Sequence, residues 1–168
     1  MRKLSVLILS LFAALALTMA PASAVGPTST TRDGGLHFVG SPNLTVVATT
    51  GGFALNATGE VAGAGTAATA TLTADVAVTT GCINRGSQGQ QPSGLERSFT
   101  AVTGSVPIET RQGRGTFNVT TDTAGVGTRT CPDQMTPVLV SVSFTNIVLT
   151  ITAQTGTITA TFPDQSAP

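Results

Sequence analysis

"AATATLTADVAVTTGC", residues 67–82, alternates through most of its length between apolar and hydroxylated side chains. Ala68, Ala70, Leu72, Ala74, Val76 and Val78 hold the even positions, whereas Thr69, Thr71, Thr73, Asp75 and Thr79 hold odd ones. A period of two sends successive side chains to opposite faces, so the stretch reads as a strand with one dry and one wet face. Continuing the phase brings Cys82 to the dry side, at the strand's end. Threonine's β-branch suits a pleated backbone, and 30 threonines follow residue 24. They alternate with Val, Ile, Leu and Ala over long runs, which predicts sheet rather than a glycosylated, disordered stalk.

Working outward, "FALNATGEV" (53–61) puts Phe53, Leu55, Ala57 and Val61 on one face and Asn56, Thr58 and Glu60 on the other. Between the two runs lies "AGAGT" (62–66), whose Gly63 and Gly65 tolerate the positive φ of a tight connection. The pattern predicts a long β-hairpin over 53–80. Phe99 and Ala101 open a further strand, which Gly104 and Pro107 limit or place at an edge. "GTFNVTT" (115–121) offers Phe117 and Val119 on one face. In "PVLVSVSFTNIVLTITAQTGTITATF" (137–162), Val138, Val140, Val142 and Phe144 share a phase that flips after Asn146 to Ile147, Leu149, Ile151 and Ala153. Such a flip marks a bulge or a corner between sheets. A turn then leads into Ile158, Ala160 and Phe162, and weaker strands are expected at 36–40 and 44–49. Phe53, Phe99, Phe117, Phe144 and Phe162 all fall on apolar faces and are expected in the core.

About eight short strands, glycine-rich turns and no helical periodicity after residue 24 predict an all-β fold. The expected architecture is a single antiparallel β-sandwich, immunoglobulin-like or related, over residues 35–163; a β-barrel is the alternative. Residues 25–34 read as a flexible lead-in and 164–168 as a frayed C-terminus.

The first 24 residues have a basic start at Arg2 and Lys3, an apolar run from Leu4 to Leu17, and the small residues Ala22-Ser23-Ala24. That is the pattern of a cleaved secretory signal, with an apolar core short for a membrane span. The mature chain is therefore expected to be secreted, in the medium or at the cell wall, and to be free of the membrane. It would carry six Arg, no Lys and eight acids, a net charge of −2. Without basic runs it has no electrostatic footprint for nucleic acid or for an anionic lipid surface.

Two cysteines in an exported chain most simply pair as Cys82–Cys131. Closing a 49-residue loop corresponds to about 4 kcal/mol by chain entropy. The bridge would tie the polar stretch "TGCINRGSQGQQPSGLERS" (80–98) to "TRTCPDQMTP" (128–137), at one end of the sandwich. Five of the six mature arginines, at 85, 97, 111, 114 and 129, fall in the charge-rich stretch between residues 85 and 129. Candidate binding residues are Asn84, Arg85, Gln88, Gln91, Glu96, Arg97, Arg129 and Asp133, as arginine anchors with adaptable polar groups around them. The plainer reading of the same residues is that long loops are polar because they are solvated.

Chemistry leaves few traces. His37 is the lone histidine, and no G-x-S-x-G elbow supplies a serine for it. "TDTAG" (121–125) departs from the D-T-G of aspartic proteases at Ala124, with no second copy. Glu60, Asp75, Glu96, Glu109, Asp122 and Asp133 are spaced in a way that selects no pair for glycoside hydrolysis. Two cysteines and one distant histidine do not make a tetrahedral metal set. The mature chain lacks Trp and Tyr, which weighs against a sugar-stacking platform. Asn43, Asn56 and Asn118 begin N-x-T triplets, as expected by chance where threonine is this common. The function expected is a non-catalytic binding or structural module, without metal or cofactor, for an extracellular protein or cell-surface component. A secreted hydrolase using loop carboxylates is the alternative.

The export signal, "CINRG" (82–86), "GLERS" (94–98), "RQGRGTFNVTT" (111–121), "TCPDQMTPVLVSVSFTN" (130–146) and "TGTITATFPD" (155–164) together resemble small secreted proteins of unknown function from high-GC Gram-positive bacteria. The lysine-free mature chain fits that source. The resemblance covers nearly all of residues 36–164 and implies an extracellular β domain with the cysteine bridge. It carries over no catalytic or binding residue.

Overall fold

A computed structural model gives the fold, and it describes residues 23–84, 86 and 92–168. Most of the expected signal sequence, through residue 22, lies outside the described residues. The alternating stretch 67–82 lies in β5 (Ala67–Asn84), with every even position from Ala68 to Val78 buried. β5 pairs on one side with β6 (Ser93–Glu109) and on the other with β9 (Met135–Ala153). β9 in turn carries β10 (Gly156–Thr161) and, farther along the same side, β11 (Gln165–Ala167), while β1 (Ser29–Thr30) lies outside β10. The second sheet is built on β4 (Gly52–Ala62). Along one side of β4 run β2 (His37–Phe38) and β3 (Asn43–Thr49); along the other run β7 (Arg114–Thr120) and β8 (Ala124–Gly125).

All pairings are antiparallel, and neither sheet closes on itself, so the fold is a β-sandwich and not a barrel. Leu55, Val61 and Val119 of the β4 sheet and Leu72, Val76, Phe144, Leu149 and Ile151 of the β5 sheet belong to one core cluster. Fully burying an aliphatic or aromatic side chain contributes about 1.5–3 kcal/mol, which makes this layer the main source of stability.

Four expectations are corrected by the structure. β4 and β5 are not a hairpin: they lie in different sheets, and the chain crosses between them at Gly63 (φ 78°) and Gly65 (φ 73°). The crossing lets the two apolar faces meet across the core instead of lying side by side. Thr155 Oγ1 donates to the Gly63 carbonyl (2.7 Å) and Thr110 Oγ1 to that of Gly65 (2.8 Å), fixing the corner. The turn that follows the hairpin rule joins β6 to β7. Its central residues, Gln112 (φ 53°) and Gly113 (φ 75°), both have positive φ, and Arg111 and Arg114 exchange backbone hydrogen bonds of 2.7 and 3.0 Å.

Second, the flip at Asn146 is the bulge of the two alternatives, within one continuous strand, but the phase expected ahead of it does not hold. Asn146 has φ 51°, and its side chain donates to Asp75 (2.8 Å) where the β5–β9 register slips. A further slip, between Thr79 and Thr80, moves Val138 and Val140 off the face of Val142 and Phe144, and Leu139 packs on the core in their place. Third, Phe99 is 74% exposed instead of buried. Fourth, both ends are paired where a flexible lead-in (25–34) and a frayed end (164–168) were expected. Val25 bridges Leu44, β1 pairs with β10, and β11 pairs with β9.

Candidate functional site: a groove at the disulfide end

The two sheets do not end together. β5 and β6 run on past the β4 sheet, and from Ser93 to Ala101 β6 is exposed on both faces. On the side where the second sheet has run out, Val78 and Thr80 of β5 and Glu96, Ser98 and Thr100 of β6 face the segment Thr123–Thr130. Between them, with Gly51, they line a groove of about 680 Å³. Its walls are mainly hydroxyls and the backbone of a glycine-containing segment, with Val78, Ala124 and Val126 as apolar contributions.

Two features hold the far wall. Cys82 at the end of β5 is bonded to Cys131, with a Cα–Cα separation of 5.9 Å, which anchors the loop between β8 and β9 to the sheet. Arg129, on that loop, reaches back across the end of the groove. Its Nη1 donates to Thr80 Oγ1 (2.9 Å) and pairs with Glu96 Oε2 (2.9 Å), and its Nη2 donates to the Gly94 carbonyl. The guanidinium is thus a three-way clamp on β5, β6 and the loop. Charge-assisted bonds of this kind are about twice as strong as neutral ones. Its Nε is buried without a partner, so the clamp is fully used on one edge only.

β6 begins irregularly for a physical reason. Gly94 has φ 60°, and residues 94 and 95 together oppose Gly81, a glycine bulge that turns the Gly94 carbonyl toward Arg129. Gly81 itself is roofed: a Cβ there would lie 2.5 Å from Pro92 Cβ and 3.2 Å from Leu95 Cδ2. Leu95 therefore covers the outer face of the sheet, opposite to the groove.

Of the residues singled out in the sequence, the structure brings together Glu96, Arg129, Cys82 and Cys131. Asn84 is exposed at the end of β5, and Asp133 is exposed in the turn before β9, where Met135 N donates to the Pro132 carbonyl (3.1 Å). Arg97 alternates to the face away from the groove, where its guanidinium sits 5.1 Å from the Phe99 ring centroid. Arg85, Gln88 and Gln91 lie outside the described residues. Thr80, Ser98, Thr100 and the 123–128 wall were missed. The available signal was the loss of clean alternation in "LERSFT" (95–100), unlike the stretch of β5 it pairs with.

Several other candidates for chemistry are engaged elsewhere. His37 Nδ1 is 2.7 Å from the Gly35 carbonyl, Glu60 pairs with Arg114 at 3.0 Å, and an Asp33 oxygen accepts from Thr157 N at 3.0 Å. Among the described residues no group of three His, Cys, Asp or Glu is placed to hold a metal ion. Nor is any helix among them long and apolar enough to cross a membrane. Compared with protein-family models, curated proteins and solved structures, the chain matches none.

Proposed function

We propose that this chain is an extracellular, non-catalytic binding module that takes an extended segment of a partner polypeptide into the groove between β6 and residues 123–130. The observation that carries the reading is the groove's lining: hydroxyls at residues 80, 98, 100, 123, 128 and 130, with backbone at Gly125 and Gly127, beside a guanidinium already fixed by protein partners. Hydroxyls and backbone amides are the groups that satisfy a peptide main chain, and a wall held in place before binding loses little freedom on binding. A disulfide at the rim suits an oxidising compartment. Support for binding over hydrolysis comes from Glu96. It is the one carboxylate among the lining residues, and it is paired with Arg129 instead of facing a second acid across the groove.

The test is selection from a displayed library of linear peptides, followed by calorimetry of an enriched peptide against the parent and a Ser98→Tyr/Thr100→Tyr variant. Both substitutions fill the groove from strand positions that tolerate aromatic residues. The variant is expected to lose the peptide while its melting temperature stays put. Failure to enrich any peptide, or equal binding by the filled variant, overturns the reading.

A further inference from the structure

We infer that the free edge of β6 pairs with the same edge of a second copy of this chain, antiparallel, with Ser98 on the two-fold axis. β6 ends its sheet: β5 occupies one side, and among the described residues the other side is closed only from Thr103 onward, where the Thr103 carbonyl accepts from Asp122 N (3.0 Å). Short of that point the strand is exposed. Among the described residues, its Leu95 (62%) and Phe99 (74%) are the exposed large hydrophobic side chains. An open strand edge beside apolar side chains is a template for strand addition.

The backbone fixes which groups face outward. In an antiparallel pair, alternate residues turn their N–H and C=O toward the neighbour. The Thr103 carbonyl points away from β5, and the β5–β6 register is unbroken from Glu96 to Glu109. Arg97, Phe99 and Ala101 therefore also turn their N–H and C=O outward, and none of these groups is used by β5.

Two-fold pairing keeps each residue on its own face, so the register follows from which residue sits on the axis. Arg97 or Glu96 on the axis would oppose two like charges, which is destabilising. Phe99 on the axis would carry the pairing into Thr103, whose carbonyl is taken. Ser98 avoids both. It sets Arg97 opposite the partner copy's Phe99 in both directions, Leu95 opposite Ala101, and Glu96 opposite Thr100. The cation that already stacks on its own Phe99 at 5.1 Å gains a second ring, and a cation over an aromatic face is stabilising. Residues 97 and 99 exchange both backbone bonds with their counterparts. On the inner face Ser98 lines the groove, so the grooves of the two copies abut across the axis.

The pairing makes Ser98 a non-hydrogen-bonded position, where opposed Cα atoms lie about 4.5 Å apart, within disulfide reach. Purified Ser98→Cys is therefore expected to form a covalent dimer on mild oxidation, whereas Thr100→Cys, which faces residue 96 of the other copy, is not. In sedimentation equilibrium the parent is expected to dimerise with rising concentration. Phe99→Pro removes an outward N–H without removing a bond to β5, and it is expected to stay monomeric. Arg97→Glu, which leaves the backbone intact, is expected to do the same, so a folding defect in the proline variant does not decide the matter. A parent that stays monomeric to its solubility limit, or both variants dimerising like the parent, overturns the pairing. Equal cross-linking at residues 98 and 100 overturns the register. The peptide-binding test is separate, since a monomer retains its groove.

Discussion

The two halves of β6 are made of one strand but held by different physics. From Val102 to Glu109 the strand lies over the second sheet: Val102 and Ile108 are buried, and Gly104 lies so near the Thr120 carbonyl that a Cβ there would come within 2.0 Å. From Ser93 to Ala101 both faces are exposed, and the described supports are its ladder to β5, the Arg129 clamp and the nearby disulfide. Burial stabilises the first half in proportion to area, whichever apolar side chains supply it. The second half depends on a few directional contacts, each of which can be deleted singly. A binding surface is best placed on the second kind of support, because its outward groups are not committed to the core.

That contrast can be broken at its strongest point. Phe144 is fully buried at the centre of the core, and Phe144→Ala is expected to cost about 3–5 kcal/mol, read as the shift in urea midpoint. Replacing Cys82 and Cys131 together by alanine is expected to cost about 2–4 kcal/mol, acting largely on the unfolded chain. Hydrogen exchange is then expected to accelerate in 126–134 more than in the core strands. Arg129→Ala strands the buried hydroxyl of Thr80 and the Gly94 carbonyl. It is expected to cost about 1–3 kcal/mol, with proteolysis appearing first at the 92–96 end of β6. Smallest, Phe99→Thr is expected to stay within about 0.5 kcal/mol of the parent in dilute solution. Val102→Thr, on the core half of the same strand, is expected to be clearly destabilised. A large effect at residue 99, or a negligible one at residue 102, would erase the difference between the halves.

How much of this was legible in the residues depended on whether the signal was periodic. β5 and the phase flip at Asn146 could be read because strict alternation has one physical meaning. The Cys82–Cys131 pairing follows from having two cysteines and an expected oxidising compartment. The connection at 62–66 was misread because a glycine turn has the same local chemistry whether the next strand pairs beside the last or crosses to the other sheet. The slip at Val140 was hidden inside Val138-Leu139-Val140, a run without phase. Phe99 reads as core because an apolar residue in a strand ordinarily has a packed layer opposite it, whereas here the second sheet has already ended. Arg129 and Glu96 are 33 residues apart, and nothing local links them. The groove is a consequence of unequal sheet lengths, which is a tertiary property.

β9 lies between β5 on one side and β10 with β11 on the other. Ala77 and Ser143, opposed across that seam, are separated by 66 residues of chain. A polypeptide emerging amino end first from a ribosome therefore has β5 and β6 available long before the strand that completes their sheet. The larger layer cannot close until the last quarter has come through, and contacts this distant in sequence form slowly. Such a chain commits to the shape of its larger layer only once its last quarter is free to pair.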